Sequence, residues 1–315
     1  MKTPTRSCLV LVTAMAVGCS GGPKEAPGAS PGAAAGPGKR VIGVTLLTQT
    51  HDFFKDLEGG LREEAKARGF DLVITACEMD PAKQASQIED FVAQKVSAIL
   101  AAPCDSDAIV AHLGGPEKAG IPVFTADIAA HGGKVVSHVA SDNVLGGKLA
   151  AQALAKHMGD KGKVIIIDHP TVASVQDRVK GFEEELKKHP GITIVGRPSS
   201  DGQRGKAQSA MEDMLQAHRD LKGVFGINDD SALGATAALE AAGRKDVVVI
   251  GYDATPEAQR AIKSGGPLKA DVIQYPVKIG RTSIEMIDRY LKGEKVPALV
   301  AVEVGVVDQE ALAGK

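Results

Sequence analysis

Three polar clusters stand out, each placed after a strongly apolar run of β type and before helical sequence: Ala126-Asp127, Ser141-Asp142-Asn143 and Asn228-Asp229-Asp230. Gly251-Tyr252-Asp253 repeats the arrangement, and Gln274 closes another short run ahead of Tyr275-Pro276. In an open α/β sheet, residues just past the carboxyl ends of the strands line the ligand crevice. A carboxylate there accepts hydroxyl hydrogen bonds, and a carboxamide both donates and accepts, as a sugar hydroxyl does. Phe53-Phe54 supplies rings that can pack on the apolar face of a sugar, in a chain with 3% aromatic residues and no Trp. The chemistry is recognition of a hydroxyl-rich small molecule. Plainer roles compete: Asp127 as a turn or cap residue, one of residues 228–231 as an N-cap, and one of the two phenylalanines as core.

Signals for catalysis are weak. His51, His131, His138 and His169 are dispersed, and neither HExxH nor CxxC spacing occurs. No Walker A loop, no GxGxxG after the first strand and no GxSxG are present, so phosphate, dinucleotide and acyl-transfer chemistry are disfavoured. The expectation is no cofactor, no metal and no enzyme. His51 and His169 fall in loops predicted to face a cleft, where solvated histidines are common.

The elements that must position these residues alternate. Strands are predicted at 41–44, 71–76, 98–102 and 121–126, with helices at 53–68, 82–94 and 106–119 between them. The alternation restarts after Asp142, with helices at 143–158, 178–188, 231–242 and 256–263, and strands at 164–167, 192–195, 224–227 and 247–250. Alternating strands and helices imply parallel sheets covered on both faces. Two such series in 315 residues, with no long linker between them, imply two α/β lobes with a small-molecule cleft between. A net charge of -2 argues against a nucleic-acid partner.

The N-terminus reads as an export segment. Lys2 and Arg6 precede an apolar stretch at 9–17, too short to span a bilayer. Ala16-Val17-Gly18-Cys19 resembles a bacterial lipobox, which would make residues 1–19 the signal and Cys19 the lipidated first residue; a plain secretory signal is the alternative. Residues 20–39, dominated by Gly, Pro, Ala and Ser, read as a flexible tether. In an oxidising compartment the remaining Cys77 and Cys104 are either a disulfide or two buried thiols.

From about Arg40 to its end, the chain resembles the ribose-binding proteins and their relatives, the type I periplasmic sugar-binding components of ABC transporters. The resemblance is carried by Val135-Val136-Ser137-His138-Val139-Ala140-Ser141-Asp142-Asn143-Val144-Leu145-Gly146-Gly147-Lys148, by Asn228-Asp229 with Ala232-Leu233-Gly234-Ala235, and by Gly251-Tyr252-Asp253-Ala254-Thr255-Pro256. It implies two Rossmann-like lobes joined by a three-strand hinge, with residues 40–141 and 275–303 in one lobe and 142–274 and 304–315 in the other. It implies a monomer that binds a monosaccharide or polyol and presents it to a membrane permease. A receptor feeding a sensor or chemotaxis system is the rival. The effector core of a sugar-responsive repressor is disfavoured, because an export segment stands where a DNA-binding helix pair would be. Asp127, Asn228, Asp253 and Gln274 match positions that hydrogen-bond the sugar, and Phe53 and Phe54 match the aromatics. The chain departs at His51, where ribose binders have Asn, and at Ile128, where they have Arg. It departs again at Gln176, where a second Arg stands, with Arg178 shortly after, and at Gly202, where they have Phe. His169 and Tyr252 complete the expected site. These departures predict a roomier, less cationic pocket that prefers a ligand other than ribose.

Overall fold

The structure, a computed structural model, describes residues 40–314. The expected signal segment, Cys19 and the tether lie outside the described residues. The chain runs β1 (Arg40–Leu46), α1 (Asp52–Arg68), β2 (Phe70–Ala76), α2 (Pro81–Ala93), β3 (Ala98–Ala101), a 3-10 turn (Ala108–His112), α3 (Gly114–Lys118), β4 (Val123–Ala126) and β5 (His138–Ser141). It continues with α4 (Asn143–Met158), β6 (Gly162–Ile167), α5 (Ala173–Leu186), β7 (Ile192–Gly196), α6 (Arg204–Ala217), β8 (Leu221–Gly226), α7 (Asp229–Ala241), β9 (Val248–Asp253), α8 (Pro256–Lys263) and β10 (Leu268–Ile273). It ends with α9 (Pro276–Leu291), β11 (Leu299–Val302), β12 (Gly305–Asp308) and α10 (Gln309–Ala313).

The strands form two six-stranded sheets, ordered β11-β5-β4-β3-β1-β2 and β12-β10-β9-β8-β6-β7. This is an α/β fold of two lobes, and the chain passes between the sheets three times, after β5, β10 and β11. All pairings are parallel except that of β12, which runs antiparallel to β10 at the edge of its sheet. The inner strands read as continuous apolar runs because helices cover both faces: Ala98–Ala101 and Val123–Ala126 are buried at every position. In α1 the predicted stripe of Phe54, Leu57, Leu61 and Ala65 is buried, and Gly69 ends the helix at φ 73. Asp80 caps α2 by accepting from the Ala82 and Lys83 amides.

Two elements differ from the sequence expectation. The helix expected at 106–119 is instead a 3-10 turn followed by the short α3. Gly114-Gly115-Pro116 breaks it, because glycine is a weak helix former and proline lacks the N–H that would continue the helix from the preceding turn. Helix α6 is absent from the sequence assignment. Only Ala207 and Met211 on it are buried, too thin a stripe to register as amphipathic.

The Gly146-Gly147 pair has a packing role. A side chain at Gly147 would collide with the Arg178 carbonyl, and one at Gly181 with the Val144 carbonyl, so α4 and α5 approach backbone to backbone. This contact fixes the height at which α5 delivers Arg178.

Cys77, directly after β2, and Cys104, after β3, are joined as a disulfide with Cα atoms 6.7 Å apart, inside the usual range. Both are buried in the first lobe. The lobe contains no other cysteine, so the denatured protein from Arg40 onward should show no thiol to a colorimetric reagent until it is reduced. With 27 residues of sequence separation, reduction should cost about 3.5 kcal/mol of stability by the chain-entropy estimate. Two titratable thiols in unreduced, denatured protein would exclude the bond.

Candidate ligand-binding cleft

The carboxyl ends of the two sheets face each other, and the loops beyond them line a narrow cleft with about 40 Å3 of free space. From the N-terminal lobe come Leu47 and His51 after β1, Phe53 and Phe54 in the first turn of α1, and Asp127 and Ile128 after β4. From the C-terminal lobe come His169 after β6, Ile227 and Asn228 after β8, Asp253 at the end of β9 and Gln274 after β10. Helix α5 adds Ser174, Val175 and Arg178, with Val172 just before it, and Gly202 adds an open corner.

The two phenylalanine rings meet edge to face, 5.2 Å apart at 84°. The same cleft holds the hydrogen-bonding groups. Asp127 adopts φ 63, a left-handed conformation that turns its carboxylate away from the strand direction. Its Oδ1 is buried, and no protein donor among the described residues reaches it; the same holds for Gln274 Oε1. Gln274 Nε2 donates to Asp253 Oδ1 at 2.7 Å. Asn228 caps α7, its Oδ1 accepting from the Ser231 amide at 2.9 Å, while its Nδ2 donates to the Gly202 carbonyl at 3.1 Å. The capping role and the cleft position thus coincide in one side chain.

Arg178 is the buried cation of the cleft. Its Nε donates to Asn143 Oδ1 at 2.9 Å and its Nη1 to the Ile227 carbonyl at 2.7 Å. Its guanidinium lies 3.9 Å from the centroid of the Tyr252 ring. Burial pushes the Asp127 carboxyl up to about 6, against the pull of Arg178. Burial also holds His51 and His169 below the ordinary histidine value, so both rings are neutral at pH 7.

The lobes touch across the cleft. Ser106 of the N-terminal lobe donates its amide to the Thr171 carbonyl at 3.0 Å, and its Oγ accepts from the Ala173 amide at 2.9 Å. His51 Nε2 stands 3.6 Å from Asp230 Oδ2. This is a closed arrangement.

Several expected residues are placed differently. Gln176 is turned away, its amide donating to the Pro170 carbonyl at 2.8 Å, because its helix phase directs it out of the cleft while Arg178 points in. Tyr252 is fully buried beneath Arg178, with its hydroxyl on Asn143 Oδ1 at 3.2 Å, since alternate residues of a strand face opposite sides of the sheet. The Ser141-Asp142-Asn143 cluster does not line the cleft either: Asp142 caps α4 and Asn143 holds Arg178 and Tyr252. The pocket therefore keeps one guanidinium, more than the expected substitutions implied. Ser174, Val172 and Val175 went unrecognised. The one signal for them in the sequence is their position just ahead of the helix expected from Arg178 to Lys188.

No group of three or more His, Cys, Asp or Glu residues among those described is arranged to hold a metal. No described helix is long and apolar enough to cross a membrane.

A family model described as periplasmic binding protein domain matches residues 42–295. The chain belongs to this family. It is 38% identical to the ribose import binding protein of Salmonella typhimurium over 270 residues, 85% of this chain and 90% of that one. It is 30% identical to the xylitol-binding protein of Mycolicibacterium smegmatis, covering 84% of this chain and 75% of that one. An ABC transporter solute-binding protein from Agrobacterium vitis, solved with bound α-D-tagatopyranose, superposes with a TM-score of 0.82 at 31% identity, covering 86% of this chain and 95% of the other. The periplasmic binding protein described here is thus the extracytoplasmic solute-binding component of a carbohydrate ABC importer, not an enzyme.

The raised Asp127 value sets a pH dependence. Sugar hydroxyls donate to the ionised carboxylate, so protonation removes an acceptor. Ligand affinity should fall as pH drops through 6 and be about tenfold weaker at pH 5 than at pH 7.5, the effect of one proton over one pH unit. The unliganded protein changes in the opposite sense: its folded value lies above the unfolded one, so it loses stability as pH rises from about 4 to 6. Calorimetric titrations at several pH values check this, and Asp127→Asn should flatten the profile. A wild-type affinity that is constant from pH 7.5 to 5 would contradict it.

Proposed function

We propose that this binding protein takes a monosaccharide or polyol other than ribose into the cleft, closing on it by rotation of two lobes made of residues 40–141 with 275–303 and 142–274 with 304–315. The observation that carries this reading is the pair of buried acceptors without protein donors among the described residues, Asp127 Oδ1 and Gln274 Oε1, in one cleft with Phe53 and Phe54. A ring with hydroxyls at its rim and an apolar face fits both sides. His51, Asp127, Asn228, Asp253 and Gln274 are the hydrogen-bonding contacts, Arg178 and His169 complete the polar wall, and Phe53 and Phe54 pack on the ring. Relatives named for ribose and xylitol, and a neighbour holding tagatose, support a ligand of this class. Ile128 is what sets ribose aside: it places an apolar group, 1% exposed, on the cleft wall beside Asp127. Pairing of sugar oxygens on that wall is lost, and a buried oxygen without a partner costs about 1–3 kcal/mol.

The test is a titration series with D-ribose, D-allose, D-tagatose, D-arabinose and xylitol. At least one of the others should bind tenfold or more tightly than ribose. Ribose outcompeting every one of them would overturn the selectivity while leaving the cleft in place.

We further infer a monomer held at the membrane by lipid on Cys19, with the Gly- and Pro-rich residues 20–39 as the tether that lets it reach its permease. Cys19→Ala should move the protein from the membrane to the soluble fraction. Wild-type protein that fractionates as soluble, with no acyl group by mass spectrometry, would refute the anchor.

A further inference from the structure

Beside Asp253 two more aspartates are buried, Asp229 at the edge of a second opening that it shares with His51, Phe53 and Asp253. Asp229 opens α7 and Asp271 lies in β10, and they are 4% and 0% exposed. Their side chains are in hydrogen-bond contact with each other. Asp229 Oδ1 and Asp271 Oδ2 are both buried, and no N–H or O–H group among the described residues donates to either. The remaining oxygens are occupied by backbone: the Thr255 amide donates to Asp229 Oδ2 at 2.7 Å, and the Ala254 amide to Asp271 Oδ1 at 3.3 Å. Two adjoining carboxyl groups buried from solvent disfavour ionisation of both, which favours a proton held between them.

The backbone that this pair grips is unusual. Asp253 sits at φ 119 and Ala254 at φ 56, two consecutive non-glycine residues in the left-handed half of conformational space. Such a stretch persists only where its surroundings over-determine it. Asp229 does so twice, since its own amide also donates to Asp253 Oδ2 at 3.3 Å.

We propose that Asp271 is a positioning residue for ligand binding: with Asp229 it shares one proton, and the pair holds the Asp253-Ala254-Thr255 backbone so that the Asp253 carboxylate faces the cleft. This rests on the reading that Asp253 accepts ligand hydroxyls. The proton also settles the charges. Of the three aspartates, Asp253 has Arg178 of α5 beside it and the Gln274 amide on its Oδ1, whereas Asp229 faces Asp230 of the same helix and Asp271 faces only the other two carboxyls and the Ala254 amide. The cation and the Gln274 amide oppose the rise that burial and Asp229 impose on Asp253, and the shared proton keeps a second full negative charge from building up beside it. Burial and mutual repulsion raise all three aspartates, Asp253 and Asp271 well above the ordinary carboxylate value, in keeping with a proton retained in the group.

Three variants test the proposal: Asp271→Asn, Asp271→Ala and Asp253→Ala. Two readouts apply, calorimetric affinity for the tightest-binding of D-ribose, D-allose, D-tagatose and xylitol, and the pH dependence of the urea midpoint from pH 5 to 8. An asparagine at 271 supplies by its amide the donor that the proton supplies in the wild type. Asp271→Asn should therefore keep affinity within about threefold. Because it removes a group that holds a proton in the folded state, stability should fall less steeply with rising pH than in the wild type, by about one proton. Asp271→Ala leaves Asp229 without its donor and should weaken binding at least tenfold, a loss that Asp271→Asn does not share. The proposal is overturned if folded Asp271→Ala binds like wild type, if Asp271→Asn binds as poorly as Asp271→Ala, or if Asp271→Asn keeps the wild-type pH slope. The slope comparison needs no ligand, so it decides even where none of the four sugars binds. Unchanged affinity in Asp253→Ala would instead remove Asp253 from the ligand site, a distinct failure.

Discussion

Closing two lobes over a polar cleft takes carboxylate and carboxamide oxygens out of water, and each then needs a donor. Here the wall is built so that the protein supplies some of these donors and leaves others open. Asp253 receives Gln274 Nε2 and the Asp229 amide. Asp127 Oδ1 and Gln274 Oε1 receive none from the described protein groups. A buried acceptor without a partner costs about 1–3 kcal/mol, so closure is favoured in proportion to the hydroxyl donors a ligand brings. The affinity and the conformational change are then one quantity, because differential contact with the closed form is what shifts the equilibrium.

That device needs rigid walls, and the scaffold supplies them through groups that never touch the ligand. Arg178 stands on Tyr252, is braced by Asn143 and the Ile227 carbonyl, and is carried by a helix that glycine-mediated contact pins against α4. The guanidinium is thus fixed before any ligand arrives, which lowers the entropy lost on binding. The Ser106 contacts act across the lobes instead. Both involve backbone groups at or just before the start of α5, so the closed arrangement is registered on the same helix that presents Arg178.

How much of this was legible depended on what kind of constraint placed each residue. Asp127, Asn228, Asp253 and Gln274 stand at strand ends, and an apolar run followed by a polar residue marks such an end in one dimension. The two-lobe α/β architecture was legible for the same reason, since alternation of strand and helix is a local pattern. Gln176 and Arg178 differ by two positions on one helix, and only the packing of α5 on α4 decides which of them faces the cleft. Tyr252 and Asp253 are neighbours with opposite fates, set by strand pleat and by a positive φ that no composition reveals. Val172, Ser174 and Val175 line the cleft because of where the chain turns from β6 into α5, which is tertiary information. Asp271 sits in mid-strand, where a buried carboxyl is the least expected residue, and nothing short of the three-dimensional contact with Asp229 explains it.

The distribution of charge in the cleft argues about selectivity more strongly than its size does. A pocket with one braced guanidinium, two neutral imidazoles and two carboxylates of differing acidity is not simply a less cationic version of a ribose site. Ile128 puts an apolar wall beside Asp127, and burial leaves that carboxylate nearer its neutral form and dependent on ligand hydroxyls for stabilisation. Gly202, at φ 68, opens the wall beside Asn228 and His169, whose polar atoms lie 3.2 and 3.6 Å from where its side chain would begin. An aromatic side chain there would cover those atoms; glycine uncovers them. On the proposed site, the cleft offers hydrogen-bonding groups at the Gly202 end and an apolar wall at the Ile128 end. A ligand suited to it carries its hydroxyls unevenly, clustered toward Asn228 and His169, with a less polar edge toward Ile128.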